Sequence, residues 1–290
     1  MNIQHVGIIG AGTMGQGIAQ AIAGKGLEVV LLDQTQAELE QAKQGLELAL
    51  DRRLTRWGIT EAEKKVTLSR ILLTTDANEL QGCELVIECV WEQLEAKSEA
   101  LQLAEAVVGP DAILVSNTST LSLTEIAAQT ERPERVIGLH FHYPPERREL
   151  VEVVRGLKTS EATFQAAFQF VKELGKTAIQ VYESPGYVTS RLMLPLINEA
   201  AAIVAEGVAS ERDVDTAMKV GYGFSYGPLE IADLFGLDSV VDMLEGLYFE
   251  TADPRYRPAA YLRKLVRAGH LGIKARQGFY RYDEAGEVRV

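Results

Sequence analysis

The sequence contains two cysteines, Cys83 and Cys89. They flank the strand-like run 84–88, and an extended segment of that length holds them roughly 20 Å apart, beyond the reach of a disulfide. They supply no metal-ligand spacing either, so two reduced thiols and no bound metal are expected. Positive charge is also short. Lys and Arg number 29 against 41 Asp and Glu, a formal net charge of -12. Nucleic-acid binding needs a basic field, so that class is disfavoured, while a small anion in a local basic pocket is not. No hydrophobic run approaches membrane-spanning length, and no signal peptide is expected. There is no internal repeat and no low-complexity segment. These absences point to a cytoplasmic globular protein with no membrane and no nucleic-acid partner.

The 290 residues, 47% hydrophobic and 24% charged, suffice for two domains. The stretch from Ile3 to Asp33 organises the first. Val6, Ile8 and Ile9 form a short apolar run. It leads into Gly10, Gly12 and Gly15 in G-x-G-x-x-G spacing, with Thr13 and Met14 between the last two. Met14, Ile18 and Ile22 then recur at helical spacing, and 29–32 read as a second buried strand ending at Asp33. Each part suits a dinucleotide. Gly10 allows a tight turn, Gly12 keeps side chains off a pyrophosphate, and Gly15 lets helix and strand pack closely. Asp33 stands where a carboxylate accepts hydrogen bonds from a ribose 2′-hydroxyl, and it would repel a 2′-phosphate, so NAD is expected rather than NADP.

Segment 34–65 is polar with helical periodicity, Leu39, Ala42, Leu46, Ala49 and Leu50 sharing a face. Its end is basic, with Arg52, Arg53, Arg56, Lys64 and Lys65. The patch reads as a solvated helix face or as a seat for an anionic ligand tail. Strands are expected over 68–73, 84–89, 112–115, 136–139, 150–154 and 178–181. Helices are expected from Val90 to about Val108, over 123–129 and over 161–174. This alternation to residue 184 argues for an α/β, Rossmann-type doubly wound sheet. After the turn at Ser184-Pro185-Gly186 the chain, 185–290, reads as an all-helical C-terminal domain. Leu192, Leu194, Leu196, Ile197, Ala200, Ala201, Ile203 and Val204 predict a first helix buried all round, in a core or a subunit interface, and kinked at Pro195. Further helices are expected near 211–220, 228–247 and 261–268.

Three residues carry chemistry. Ser119 and His140 follow expected strands of one sheet, where open α/β sheets place ligands. Glu152 lies in the apolar run Leu150-Val-Glu-Val-Val154, and a carboxylate there is costly unless paired. His140 is its natural partner: the carboxylate fixes the imidazole tautomer and raises basicity, as base-assisted hydride transfer from an alcohol requires. Ser119 alone also reads as a helix N-cap. His142 reads either as facing away from His140 or as a second polar group in the site. His5 and His270 read as surface residues.

These residues together resemble the short, monofunctional 3-hydroxyacyl-CoA dehydrogenases of the 3-hydroxybutyryl-CoA type. The matching pieces are Gly10-Ala-Gly-Thr-Met-Gly15, Ser116-Asn-Thr-Ser119, Gly138-Leu-His-Phe141, Leu150-Val-Glu-Val153, Ser184-Pro-Gly186, Gly227-Pro228 and Gly278-Phe-Tyr280. The resemblance implies NAD-dependent oxidation of a (3S)-3-hydroxyacyl-CoA. It implies His140 as general base, Glu152 as its orienting partner and Ser119 as donor to the substrate oxygen. It implies NAD contacts at Glu92, Lys97 and Lys274, a CoA contact at Arg56, and a homodimer through the helical domain. Ser190 stands where the family has a substrate-binding Asn, and Tyr143 where an Asn meets the nicotinamide end of NAD, in His140-Phe-His-Tyr-Pro144 instead of His-Phe-Phe-Asn-Pro. The alternatives are a dehydrogenase of another 3-hydroxy acid and a weakly catalytic NAD-binding dimer.

Overall fold

Short apolar runs separated by amphipathic segments build one eight-stranded sheet in the computed structural model, which describes residues 3–55, 58–283 and 288–289. In chain order the first part contains β1 (His5–Ile9), α1 (Thr13–Ala23), β2 (Glu28–Leu32), α2 (Gln36–Thr55), α3 (Glu61–Ser69) and β3 (Ile71–Thr74). Then come β4 (Leu85–Glu88), α4 (Leu94–Val107), β5 (Ile113–Ser116), α5 (Leu123–Ala128), β6 (Val136–Phe141), β7 (Leu150–Arg155), α6 (Glu161–Glu173) and β8 (Thr177–Tyr182). The strand order is β3-β2-β1-β4-β5-β6-β7-β8. The first six strands are parallel; β7 runs antiparallel to β6 and parallel to β8.

Side-chain alternation decides what covers each face. Ile8, Leu31, Ile87, Val115, Leu139 and Val153 pack on one side with Ile18 and Ile22 of α1, Leu39 and Leu46 of α2 and Phe170 of α6. Their neighbours Ile9, Val86, Leu114 and Val154 pack on the other with Leu101 of α4 and Ile126 of α5. Both faces are therefore dry, as a parallel sheet requires. The chain reverses direction across the sheet between β1 and β4, so the loops after these strands part and leave a crevice at their C-terminal ends.

The chain divides into units Met1–Tyr187 and Val188–Val290. The second contains α7 (Thr189–Ala205), α8 (Glu211–Tyr222), α9 (Pro228–Phe235), α10 (Leu237–Thr251) and α11 (Ala260–Arg267). Leu194, Ile197 and Ala201 of α7 pack with Leu237, Val240, Leu244 and Leu247 of α10 and Leu262 of α11. Two buried carboxylates organise the rest. Asp215 accepts hydrogen bonds from the amides of Leu229 and Glu230 and so caps α9. Asp233 accepts from the amides of Phe279 and Tyr280 and from the Tyr282 hydroxyl. A Cβ at Gly227 would stand 2.1 Å from Asp215, and one at Gly278 1.9 Å from Asp233. These contacts explain why both positions are glycine.

Several local expectations are corrected. Residues 68 and 69 close α3 rather than open a strand, because a Thr60–Glu63 capping box starts a helix there and the strand waits until Ile71. Residues 90–93 form a loop, and α4 begins at Leu94. The single helix expected over 228–247 is broken at Gly236, whose φ of 92° lies outside helical space. In α7, which contains Pro195, the core of this chain covers one face, and Leu192 is 71% exposed, so of the two expected burials the core accounts for that face alone.

Candidate active site

Five parallel strands deliver their C-terminal loops to one edge of the sheet. After β1, Gly10 takes φ 102° and its Cβ would stand 2.7 Å from the Cys89 carbonyl oxygen; a Cβ on Gly15 would stand 1.9 Å from that of Gly10. Both glycines are dictated by backbone proximity. Gly12 differs: nothing lies within 4 Å of its Cβ position. It is the N-cap of α1, with no side-chain cap and no acidic residue in the first turn. Thr13 is exposed beside it, and Met14 packs partly into the core. An open backbone cradle at a helix N-terminus fits a pyrophosphate.

Asp33 follows β2 and does more than expected. One oxygen accepts the Ala11 amide at 2.6 Å and the other the Gln34 amide at 2.7 Å. Gln16 in turn donates to the Ala11 carbonyl at 2.7 Å. The glycine loop is thus held from both sides, and a charged hydrogen bond of this kind contributes about 1.5–3 kcal/mol. The Asp33 carboxylate remains at the crevice, half-buried, where a ribose would lie.

The loops after β4 and β5 are joined by a buried charge cluster. Lys97 is 1% exposed and donates to both Glu88 oxygens at 3.1 and 2.9 Å and to the Val90 carbonyl at 3.3 Å, with Glu92 at 3.2 Å. Lys97, expected to contact NAD, is held here by protein acceptors. Its ammonium is enclosed by these acceptors and pairs with Glu92. Burial weakens the ammonium, but the carboxylates of Glu88 and Glu92 outweigh that and raise its pKa. Burial pushes the Glu88 carboxyl up despite Lys97 and Ser116.

Glu92 holds the loop that carries Ser119. Its Oε1 accepts from the Thr118 hydroxyl at 2.6 Å, the Ser119 amide at 2.8 Å and the Thr120 amide at 3.0 Å, with the Ser119 hydroxyl at 3.3 Å. Burial opposes its charge, but Lys97 and these donors prevail and hold its pKa down at about 2. Asn117, in the same loop, accepts the Phe141 amide at 3.0 Å and ties it to the end of β6.

His140 lies inside β6, which runs two residues beyond the expected 136–139. Antiparallel pairing sets it directly opposite Glu152 of β7, and residues paired in this way share a face. His140 Nδ1 is 2.7 Å from Glu152 Oε2, with Glu152 fully buried. The carboxylate acceptor assigns the proton to Nδ1 and leaves Nε2 as the basic nitrogen.

His142 lies two residues on, on the same side, its ring 4.6 Å from that of His140 and its Nε2 3.6 Å from Glu152 Oε2. Of the two readings of His142, the structure selects a second polar group beside His140. Burial and the neighbouring His140 depress its pKa to about 4, so it is neutral at pH 7. Tyr187 completes this wall, 4% exposed and with its ring 5.5 Å from His140. Among the described residues the Tyr187 hydroxyl and His142 Nε2 make no hydrogen bond.

The other candidates belong to both units. Tyr143 follows β6, 39% exposed, and its carbonyl accepts from Arg148 at 3.3 Å. Ser190 lies in the first turn of α7, and Lys274 pairs with Asp238 at 2.6 Å, both in the second unit. Arg56 lies outside the described residues. In the basic patch, Lys64 is paired with Asp51, while Arg52 and Lys65 are exposed.

Sequence reasoning missed Glu88, Asn117 and Tyr187. Glu88 carried a signal, a carboxylate ending an apolar strand nine residues before a lysine. Tyr187 carried none, since its place depends on a left-handed backbone at φ 50°.

The sequence matches the NAD binding domain of 3-hydroxyacyl-CoA dehydrogenase over residues 5–184 and the C-terminal domain of the same family over 186–282. It is 42% identical over 284 residues to a probable 3-hydroxybutyryl-CoA dehydrogenase of Bacillus subtilis, covering 98% of this chain and 99% of that protein. It is 42% identical over 286 residues to the 3-hydroxybutyryl-CoA dehydrogenase of Bradyrhizobium diazoefficiens, covering 99% and 98%. The crystal structure of (S)-3-hydroxybutyryl-CoA dehydrogenase from Ralstonia eutropha superposes with a TM-score of 0.90 at 43% identity, covering 98% of this chain and all of that one. The two family matches and the identity over nearly the whole length agree: this chain belongs to the 3-hydroxyacyl-CoA dehydrogenase family, and residues 5–184 are its NAD-binding domain.

Proposed function

We propose that the protein catalyses the reversible, NAD-dependent oxidation of a (3S)-3-hydroxyacyl-CoA to the 3-ketoacyl-CoA. The observation that carries this reading is the buried His140–Glu152 pair at the crevice edge of the NAD-binding sheet. The open backbone at Gly12, the α1 N-terminus and Asp33 suit the pyrophosphate and ribose of NAD. NAD, when bound, supplies the hydride acceptor.

The remaining work falls to side chains. His140 Nε2 removes the hydroxyl proton of the substrate as hydride leaves C3. Glu152 stabilises the imidazolium and keeps the ring in the correct tautomer, as carboxylate partners of catalytic histidines do. Ser119, steadied by Glu92, donates to the substrate oxygen and stabilises the charge that develops there. In the reverse direction His140 returns the proton.

Residues 1–184 act as the cofactor domain and 185–290 as the substrate and dimerisation domain in this proposal. Homodimerisation is supported by large apolar side chains on the second unit, with Val220 81% and Phe249 85% exposed. Two free cysteines, and no described helix long and apolar enough to cross a membrane, suit a cytoplasmic enzyme. The acyl-CoA substrate is tested by NADH formation with (S)-3-hydroxybutyryl-CoA beside free 3-hydroxybutyrate, each with NAD and NADP. Turnover with the thioester and NAD supports the assignment. Turnover confined to the free acid removes the CoA reading.

A further inference from the structure

His142 has no role in the reaction just described, yet its Nε2 is buried beside the proton-transfer pair without a hydrogen bond among the described residues. An unpartnered buried imidazole nitrogen carries a desolvation cost. It also carries a lone pair or a proton directed at a specific neighbour. Here the neighbour is Glu152 Oε2 at 3.6 Å, itself 2.7 Å from His140 Nδ1. One atom from each of the three residues lies within 4.8 Å of the other two.

Two imidazoles and a carboxylate converging at this spacing form a ligand set for a first-row divalent ion. Ligand bonds of about 2.0–2.2 Å in a tetrahedron separate the donor atoms by about 3.4 Å. The observed separations bracket that value, and side-chain shifts of about an ångström complete the set. A nitrogen-rich donor set of this kind suits Zn²⁺, Co²⁺ or Ni²⁺ and disfavours Mg²⁺ and Ca²⁺. Neither cysteine belongs to this group among the described residues.

We propose that His140, His142 and Glu152 form a zinc-class metal site, and that occupancy reversibly switches the dehydrogenase off. The binding claim rests on the three side chains alone; the switching claim rests also on His140 being the general base. The proton bookkeeping gives the switch its mechanism. A neutral imidazole binds metal through one nitrogen and keeps its proton on the other. Metal at Nδ1 takes the place of the proton shared with Glu152, and that proton resides on Nε2 instead. Nε2 then has no lone pair with which to accept the hydroxyl proton of a substrate. Nothing is oxidised or reduced, and chelation reverses the change.

The test uses the full-length protein, its His142→Phe and His142→Gln variants, Zn²⁺ and the spectroscopic substitute Co²⁺, with Mg²⁺ as control. Circular dichroism and cooperative unfolding establish that each variant is folded, and either variant suffices if the other is not. Equilibrium dialysis is expected to give one Zn²⁺ per chain, bound at least tenfold more weakly in the variants. Co²⁺ is expected to give the visible absorption of a four-coordinate site in the wild type and lose it in the variants. Absence of stoichiometric binding, or binding unchanged in folded His142 variants, overturns the proposal. NADH formation, read for each protein against its own metal-free rate, is expected to fall in step with occupancy in the wild type and to return with EDTA. Stoichiometric metal with undiminished turnover overturns the switch and the assignment of His140 as base, while dialysis still decides the site.

Discussion

Replacing Lys97 by methionine removes the cation that two carboxylates share and leaves the apolar stem in place. Glu88 is fully buried, and without Lys97 its charge is compensated by Ser116 and the Val90 amide alone. The cheapest response is protonation. Taking a carboxyl of unfolded pKa about 4.3 to its neutral form costs about 1.36 kcal/mol for each pH unit above that value. Since burial already raises the Glu88 pKa with Lys97 present, this penalty is at most about 3.7 kcal/mol at pH 7 and about 1 kcal/mol at pH 5.

The sign follows from the direction of the shift. In the variant the folded pKa of Glu88 is raised above its unfolded value. Its contribution is intact below the unfolded pKa and is lost as pH rises. Urea unfolding of wild type and Lys97→Met at pH 5 and pH 7 measures both numbers. A loss below about 1 kcal/mol at pH 7, or one equal at the two pH values, refutes the reasoning. Glu88→Gln added to Lys97→Met is expected to recover most of the loss at pH 7 and to abolish its pH dependence.

Three further outcomes follow from named contacts. Gly12→Val is expected to unfold within about 0.5 kcal/mol of wild type, since its side chain meets open space, and to weaken NAD binding at least tenfold by calorimetry. Gly15→Ala is expected to destabilise by at least about 1–3 kcal/mol in the same urea assay, because its Cβ would stand 1.9 Å from the Gly10 carbonyl oxygen. Burial pushes the Asp233 carboxyl up to about 6 against the pull of its backbone and Tyr282 donors. Its contribution is present below the unfolded pKa of about 3.9 and declines as pH rises through 6, so the corresponding part of the pH dependence between 4 and 6 is expected to vanish in Asp233→Asn.

How far the sequence could be read depended on whether a feature was local. The glycine spacing, the second strand and Asp33 form one continuous signal, and each was legible because a βαβ unit writes its cofactor site within about thirty residues. The pairing of His140 with Glu152 was legible for another reason. A carboxylate in an apolar strand demands a partner. The direction of β7, which sets the two opposite each other, came from the structure.

What the sequence hid was either long-range or smaller than its periodicity. The enclosure of Lys97 depends on Glu88 of one strand end and Glu92 of the following loop, partners that no local pattern links. His142 divides two readings in sequence. The structure decides between them: His142 follows the end of β6 and its ring lies 4.6 Å from that of His140. The break at Gly236 hides in continuous apolar spacing from 228 to 247, where glycine alone marks the turn. The face of α7 that carries Leu192 is apolar in sequence and exposed in the chain, a pattern that periodicity alone cannot separate from core.

The central claim is that His140, oriented by Glu152, moves the substrate proton. Its most direct test is kcat for His140→Ala with NAD and (S)-3-hydroxybutyryl-CoA, alongside NAD affinity by calorimetry on the same folded protein. The account predicts a fall of at least about 100-fold in kcat with NAD affinity unchanged within about threefold, since a positioned acid–base group is worth about 10²–10⁴-fold. Turnover within about tenfold of wild type would contradict it.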